Sequence, residues 1–331
     1  MIEQIDSMIY RIEVPLPDSP LKWTNAYFIR GAERNLLIDN GFNQPECIEA
    51  LDEARRSLNF TMDNTDLFLT HLHSDHIGLT AYLASPDTKV YTGDFTAYIL
   101  SVPEDDAFFA PFIIQSGLEL MGISPEDPSV HPGYEYAPTV FTGSNVRVVG
   151  DGFVISVGDL QLRCIETTGH APDHICLYDE RRKLLFTGDH ILGTITPNNT
   201  IWEDPWDVKT DYLGLYLQNI EKMKSLPVEL ALPGHRAIIT DCHGRIEGLK
   251  EHHEKRLNLV LEILDDGALR TGAQITERMR WDIKAKSWDD FPAAQKLFAT
   301  GEALSHLSHL IFRGEVRKEL ADGVVYFSRV R

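Results

Sequence analysis

The sequence lacks several features of membrane, secreted and nucleic-acid-binding proteins. No apolar run among its 331 residues approaches the roughly 18–20 residues that span a bilayer. The first residues carry acids where a secretory signal would place lysines and an apolar stretch. Only 31 lysines and arginines stand against 50 aspartates and glutamates, and the net charge of −19 disfavours phosphate backbones and anionic membranes. We therefore expect a cytoplasmic protein with no membrane partner and no nucleic acid as its main partner.

Cysteine is also scarce, and no familiar nucleophile motif is present. The four cysteines (Cys47, Cys164, Cys176 and Cys242) are scattered and form no Cys-x-x-Cys pair. We expect them to be buried free thiols rather than disulfides or metal ligands. A Gly-x-Ser-x-Gly elbow is absent, so a serine hydrolase of that type is excluded.

The apolar patterns predict two regions of different character. Strands and helices alternate over residues 1–240, where we expect a catalytic domain. An aromatic and aliphatic stretch at 93–140 interrupts the alternation and indicates a largely helical insertion. Residues 241–331 predict helices followed by a hairpin that turns at Asp322-Gly323, and from Arg270 onward basic residues slightly outnumber acidic ones. This change suggests a separate C-terminal domain.

A dense cluster of histidines follows a short apolar strand at 66–70. It reads His71-Leu72-His73-Ser74-Asp75-His76. In extended backbone His71 and His73 project to the same side, because side chains alternate with period two. Asp75 and His76 stand where the chain turns into a helix, so they can face a second point nearby. Imidazole and carboxylate are ligands of borderline divalent metals, so the run predicts a metal site.

Three further candidate ligands each follow the end of a predicted strand. They are His170, Asp189 and His235. Loops at strand ends commonly project functional groups from a rigid scaffold. Taken singly each residue is a weak signal, but together and in this order they form a specific pattern.

With these motifs the chain resembles the metallo-β-lactamase superfamily, as seen in its glyoxalase II-like and lactonase-like branches. The resemblance covers roughly residues 8–240, with 93–140 as a family-variable insertion. It implies an α/β (α+β) fold, an αββα sandwich with the metals at one edge. It also implies two divalent metal ions, the first held by His71, His73 and His170, the second by Asp75, His76 and His235, with Asp189 bridging them. Histidine at position 73, where flavodiiron relatives carry glutamate, argues against oxygen reduction.

The implied ligands predict hydrolytic chemistry. Two divalent cations ~3.5–4 Å apart can share a hydroxide at neutral pH, because a bound metal lowers the pKa of water to around 7. We expect that hydroxide to attack a carbonyl, while Asp75 orients it and passes a proton to the leaving group. Zinc suits these ligands, and iron and manganese are compatible with them.

For residues beside the predicted ligands, the sequence gives weaker evidence of a role. Asp39 matches a position that in relatives hydrogen-bonds the metal-ligand loop, with a simple turn aspartate as the alternative. Asp173 and His174 are expected to be structural or to support the ligands, and the role of His190 is left open.

The ligands do not choose a substrate, because one fold serves many reactions. If the insertion at 93–140 forms a lid, it offers an apolar channel, so a small molecule with a hydrophobic ester or thioester is the working hypothesis. A lactonase is the first alternative, weakened because Leu192 stands where lactonase relatives commonly have tyrosine.

Two further alternatives come from other classes of function. The C-terminal segment around 301–316 resembles the winged-helix appendage of some lactamase-like proteins, which raises a nuclease or RNA-processing phosphodiesterase. The acidic remainder opposes that function, and we expect a packing or homodimerisation element instead. A non-catalytic metabolite sensor is the third alternative, and the presence of all seven predicted ligands disfavours it.

Overall fold

The computed structural model describes residues 1–102, 109–128, 141, 143 and 145–331, and the structural statements below concern those residues. The chain divides into two compact units. The first comprises Met1–Ala107, Tyr136–Pro197 and Asn219–Ile246. The second comprises Phe108–Glu135, Asn198–Gln218 and Glu247–Arg331.

The first unit contains two mixed β-sheets within the described residues. The larger has seven strands in sequence order: β1 (Ile2–Gln4), β2 (Ile9–Pro15), β3 (Trp23–Ile29), β4 (Asn35–Ile38), β5 (Thr65–Phe68), β6 (Val90–Thr92) and β7 (Val146–Val148). Strands β1 to β4 pair antiparallel, and β4 to β7 pair parallel. The smaller sheet has the order β12-β11-β10-β9-β8, in which only β11 and β12 are parallel. Its strands are β8 (Val154–Val157), β9 (Leu160–Glu166), β10 (Ile175–Asp179), β11 (Leu184–Gly188) and β12 (Leu230–Pro233).

Side-chain alternation gives the larger sheet two apolar faces. On β3, Tyr27 and Ile29 belong to the core shared with the smaller sheet, whereas Ala26 and Phe28 belong to a second core on the opposite face. Helix α1 (Pro45–Leu58) contributes Cys47, Leu51 and Ala54 to that second core. Because both faces of β3 are covered, its sequence lacks the alternation that marks a half-exposed strand, and the sequence patterns do not identify it.

The remaining helices agree in kind with the sequence patterns but differ at their ends. They are α2 (Ser74–Ile77), α3 (Thr80–Leu83), α4 (Asp94–Ser101), α5 (Phe109–Leu120), α6 (Tyr212–Lys224), α7 (Cys242–Ile263), α8 (Gly272–Arg278) and α9 (Ala293–Phe312). The sequence pattern predicts a helix over 77–83, where the structure has the two short helices α2 and α3. It also predicts a helix over 301–313, and that helix begins earlier, at Ala293. Part of the predicted insertion, residues 103–108 and 129–140, lies outside the described residues, and with it the prediction of a lid.

The second unit ends in the predicted hairpin. Strands β13 (Val316–Ala321) and β14 (Val324–Arg329) pair antiparallel around Asp322 and Gly323. Both turn residues have positive φ, 52° and 77°, which a type I′ hairpin turn requires and Asp-Gly adopts readily.

Two predictions about composition can be compared with the structure. All four cysteines are free and buried, as expected. Among the described residues, no helix combines the length and the apolar character that crossing a bilayer requires.

Candidate metal centre

The seven predicted ligands lie on segments that follow strands of the two sheets in the first unit. His71 and His73 lie between β5 and α2, and Asp75 and His76 lie within α2 itself. The others follow β9, β11 and β12: His170, Asp189 and His235. The short helix α2 begins at Ser74, directly after His73, whose backbone is extended with φ of −63° and ψ of 139°.

The structure brings all seven side chains into one cluster, in which His73 is half-buried and the other six are buried. Their ligand atoms form three groups, each within 4.8 Å: His71, His73 and His170; His71, His76 and Asp189; and Asp75, His76 and His235. In the first group, Nδ1 of His73 lies 2.8 Å from Nε2 of His71 and 3.0 Å from Nε2 of His170. Three imidazole nitrogens therefore converge on one point.

The carboxylate of Asp189 faces histidines from both sides of the cluster. Its Oδ1 lies 3.6 Å from Nε2 of His76, and its Oδ2 lies 3.3 Å from Nε2 of His235 and 3.7 Å from Nε2 of His170. Asp75 lies on the same side as His235, with 3.1 Å between its Oδ2 and the Nε2 atom. A single carboxylate thus lies between two groups of imidazoles.

Hydrogen bonds from outside the cluster orient the histidine rings. Nδ1 of His76 donates to Oδ2 of Asp39 at 2.7 Å, and Nδ1 of His71 lies 2.9 Å from the hydroxyl of Thr70. Asp39 also accepts from the backbone N–H and the hydroxyl of Thr70, both at 2.9 Å. Asp39 therefore makes the contacts predicted for it. In both His76 and His71 the Nε2 atom is left facing the cluster, the arrangement typical of metal-ligating imidazoles.

Buried polar atoms of the cluster are left without hydrogen bonds. Within the described chain these include Nε2 of His76, Nε2 of His235 and Oδ1 of Asp189, whose mutual contacts lack hydrogen-bond geometry. Burying such groups without hydrogen bonds is costly, and native proteins rarely do it. Imidazole nitrogens and carboxylate oxygens suit borderline divalent cations. The residues present therefore fit a pair of such ions.

The electrostatics differ between the two sides of the cluster. Burial and the neighbouring His170 lower the pKa of His73 to about 3, so its imidazole is neutral and able to bind a metal. Burial alone would lower the pKa of His235, but Asp189 and Asp75 outweigh it and raise that pKa to about 10. Burial would likewise raise the pKa of Asp189, but His235 and His76 hold it well below its usual range. We expect proton release from this side when a cation binds.

The neighbouring predicted residues support the loops. The carboxylate of Asp173 accepts from the backbone N–H and the hydroxyl of Thr96, at 2.6 and 3.0 Å, and lies outside the three ligand groups. His174 accepts the backbone N–H of Asp189 at its Nε2, 3.1 Å away. His190 is buried, with its ring 5.9 Å from that of His174.

A cavity of about 390 Å³ adjoins the loop that carries His170. Its lining is mixed rather than apolar and includes Asp94, Glu166 and Asp173. None of the seven clustered residues is among those that line this cavity.

One supporting residue has no signal in the sequence. Asn25 on β3 donates from its side-chain amide to the carbonyls of Pro233 and Arg236, both at 2.9 Å, on either side of His235. Its partners lie 208 and 211 residues away along the chain. No local pattern could have identified it.

Known proteins are similar to this chain in sequence and in fold. A protein named atrochrysone carboxyl ACP thioesterase from Emericella nidulans is 25% identical over 274 residues, which is 82% of this chain and 70% of that protein. A beta-lactamase-like protein 2 homolog from Caenorhabditis elegans is 25% identical over 283 residues, 85% of this chain and 79% of that protein. The crystal structure of a metallo-beta-lactamase family protein from Thermus thermophilus superposes with a TM-score of 0.81 and 25% identity, covering 99% of this chain and all of the other.

Family models match both parts of the chain. Residues 289–330 match the metallo-beta-lactamase-like C-terminal domain. Residues 24–235, which include all seven clustered side chains, match the metallo-beta-lactamase superfamily. The chain therefore belongs to the metallo-beta-lactamase superfamily of hydrolases, with its αββα sandwich of two mixed sheets and a small C-terminal domain.

Proposed function

We propose that this protein is a dinuclear metal-dependent hydrolase that cleaves a carbonyl ester or thioester bearing an apolar group. The observation that carries the proposal is the position of Asp189, whose two oxygens lie 3.3–3.7 Å from histidines of both groups. A carboxylate between two histidine groups suits a bridging ligand.

The proposed ligands are those expected from the sequence. His71, His73 and His170 would hold one ion, and Asp75, His76 and His235 the other. When bound, such ions would supply a water of lowered pKa and a Lewis acid for a developing oxyanion.

Asp75 has a further proposed role in moving a proton. Its Oδ2 lies 3.1 Å from Nε2 of His235 and accepts from the hydroxyl of Thr24 at 3.4 Å. Its side chain is 12% exposed, more than the 0% of His76 and His235. We propose that it orients the attacking water, takes a proton from it and delivers that proton to the leaving group.

Two observations favour a thioester or ester over a lactone. The relative from Emericella nidulans bears the name of an ACP thioesterase. Leu192 stands where lactonase relatives commonly have tyrosine, and its side chain has no hydroxyl. It is buried, and its carbonyl accepts from Arg245. An acyl thioester is therefore the substrate class to test first.

The ion and the C-terminal domain complete the proposal. Zinc is the proposed ion because the donors are imidazole and carboxylate groups.

Helices α7 to α9 with the hairpin β13–β14 are proposed to form a winged-helix-like element for packing or dimerisation. Light scattering, which gives the oligomeric state, tests the dimerisation role of this element. A binding assay with RNA and DNA at low salt tests the alternative of nucleic-acid binding.

Elemental analysis and a substrate panel test the enzyme. Protein purified without added metal is expected to contain two equivalents of a divalent ion and to cleave acyl-CoA thioesters or aryl and alkyl esters. Asp189→Asn should lose metal and activity. Asp179→Asn is the control, because Asp179 is also a buried aspartate but bonds the backbone of Gln161 and Arg182 far from the cluster. Full activity of Asp189→Asn, or cleavage of phosphodiesters alone, would contradict the proposal.

A further inference from the structure

Two side chains of β3 bond the turn that carries His235: the hydroxyl of Tyr27 donates to the carbonyl of Pro233 at 2.8 Å, and Asn25 bonds the turn at three points. The amide Nδ2 of Asn25 donates to the carbonyls of Pro233 and Arg236, each at 2.9 Å, and its backbone N–H donates to the carbonyl of Gly234 at 2.7 Å. Asn25 is wholly buried. It therefore bonds the backbone on both sides of His235.

Trp23 determines which way the amide of Asn25 points. Its indole Nε1 donates to Oδ1 of Asn25 at 3.2 Å, so the amide nitrogen is the atom that faces the turn. The backbone carbonyl of Trp23 lies 2.9 Å from Nδ1 of His235. A carbonyl can only accept, so Nδ1 carries a proton and Nε2 is the ring nitrogen that faces the cluster. Strand β3 thus controls both the turn and the tautomer.

The turn needs such support because its backbone is constrained. Arg236 has φ of 67°, a left-handed conformation that a side chain makes unfavourable. A Cβ atom on Gly234 would lie 2.5 Å from Oδ1 of Asp189, so the backbone passes directly against the cluster. Conformations of this kind persist when the surrounding structure enforces them.

We propose that Asn25 is a positioning residue that holds His235 in place for the second metal ion. This inference rests on the proposed function, since it takes His235 as a ligand. The role requires two N–H donors on one short side chain, which asparagine has and aspartate lacks. Asn25→Asp would place a carboxylate against two carbonyl oxygens and release the turn.

Titration with Zn²⁺ after removal of metal by a chelator tests the role. Wild type is expected to bind two equivalents. In Asn25→Asp the first equivalent should bind as in wild type, while the affinity for the second falls about 10–100-fold, the usual effect of losing a group that orients a ligand. Asn35→Asp is the control, because Asn35 is a buried asparagine of β4 that bonds Asn64 and Thr65 instead.

Equal weakening of both equivalents, or two equivalents bound with wild-type affinity, would overturn the inference. If Asn25→Asp does not fold, Asn25→Ala removes the same donors without adding charge. Crystal structures of the metal-free wild type and variant give a second readout: the bond from Nδ1 of His235 to Trp23 should be broken in the variant, and an unchanged turn would overturn the role. Failure of wild type to bind Zn²⁺ would contradict the proposed function, and the structural comparison would still decide the role of Asn25.

Discussion

Oδ2 of Asp39 lies 2.7 Å from Nδ1 of His76, and both side chains are almost wholly buried. The same carboxylate accepts two bonds from Thr70, next to His71. One residue just after β4 thus orients the backbone and the imidazole of the histidine run.

Asp39→Asn should weaken metal binding without removing a ligand. Asparagine tolerates the positive φ of 58° at this position. Its amide would donate to Nδ1 of His76 and move the ring proton to Nε2, the atom that faces Asp189. We expect a 10–100-fold loss of metal affinity, measured by competition with a chelator. Affinity equal to that of wild type would show that Asp39 does not orient this ring.

Gly234→Ala should disrupt the same cluster by steric contact. The new Cβ would lie 2.5 Å from Oδ1 of Asp189 and 2.8 Å from Cε1 of His76, so the turn or the carboxylate must move. Gly117→Ala is the matched control, since its Cβ would lie 3.5 Å from the nearest atom, on Leu304. Metal content should fall in the first variant and stay at the wild-type level in the second. Normal metal content in Gly234→Ala would indicate a more adaptable turn.

The second unit contains a largely buried ion pair. Nε of Arg256 lies 2.6 Å from Oε1 of Glu302, with side-chain exposures of 9% and 12%. Glu302→Ala would leave a buried guanidinium without its carboxylate, at a cost of about 3–5 kcal/mol in the free energy of unfolding. Urea denaturation measures this cost. In Glu251→Ala, which breaks the exposed pair with Lys255, the midpoint should hardly move. Similar midpoints in the two variants would argue against the assigned role.

The second unit should lose stability in mild acid through His306. Its Nδ1 donates to the carbonyl of Glu302 at 2.7 Å, so its Nε2 accepts from Nδ1 of His253 at 3.1 Å. Burial, opposed in part by Glu302, lowers the pKa of His306 to about 4. The unfolded chain, with a histidine pKa of about 6.5, therefore binds the proton first as pH falls. The stabilisation is complete above about pH 6.5 and declines towards pH 4.

His306→Gln should reduce this acid sensitivity. Between pH 7 and pH 5 the His306 imidazole accounts for a loss of about 2 kcal/mol in the wild-type free energy of unfolding. The variant, which cannot titrate there, should lose correspondingly less in urea denaturation at the two pH values. An equal loss in both proteins would refute the assignment.

Features that depend on residues close together in the sequence are the most predictable from it. The histidine run of α2 and its approach is marked by spacing, because strand alternation and a helical turn act over a few residues. The hairpin at Asp322-Gly323 is marked by turn chemistry for the same reason. Strand β3 is not marked, because both of its faces are buried and its pattern does not alternate.

The sequence by itself determined the kinds of side chain available, the strand ends that carry them and the family resemblance that joins His71 to His235. Only the tertiary structure decided how they meet: that Asp189 lies between two histidine groups, and that Asn25 supports His235 across 208 and 211 residues of chain. The physical reason is that these contacts depend on the register and packing of two sheets. Short-range spacing carries no information about that packing.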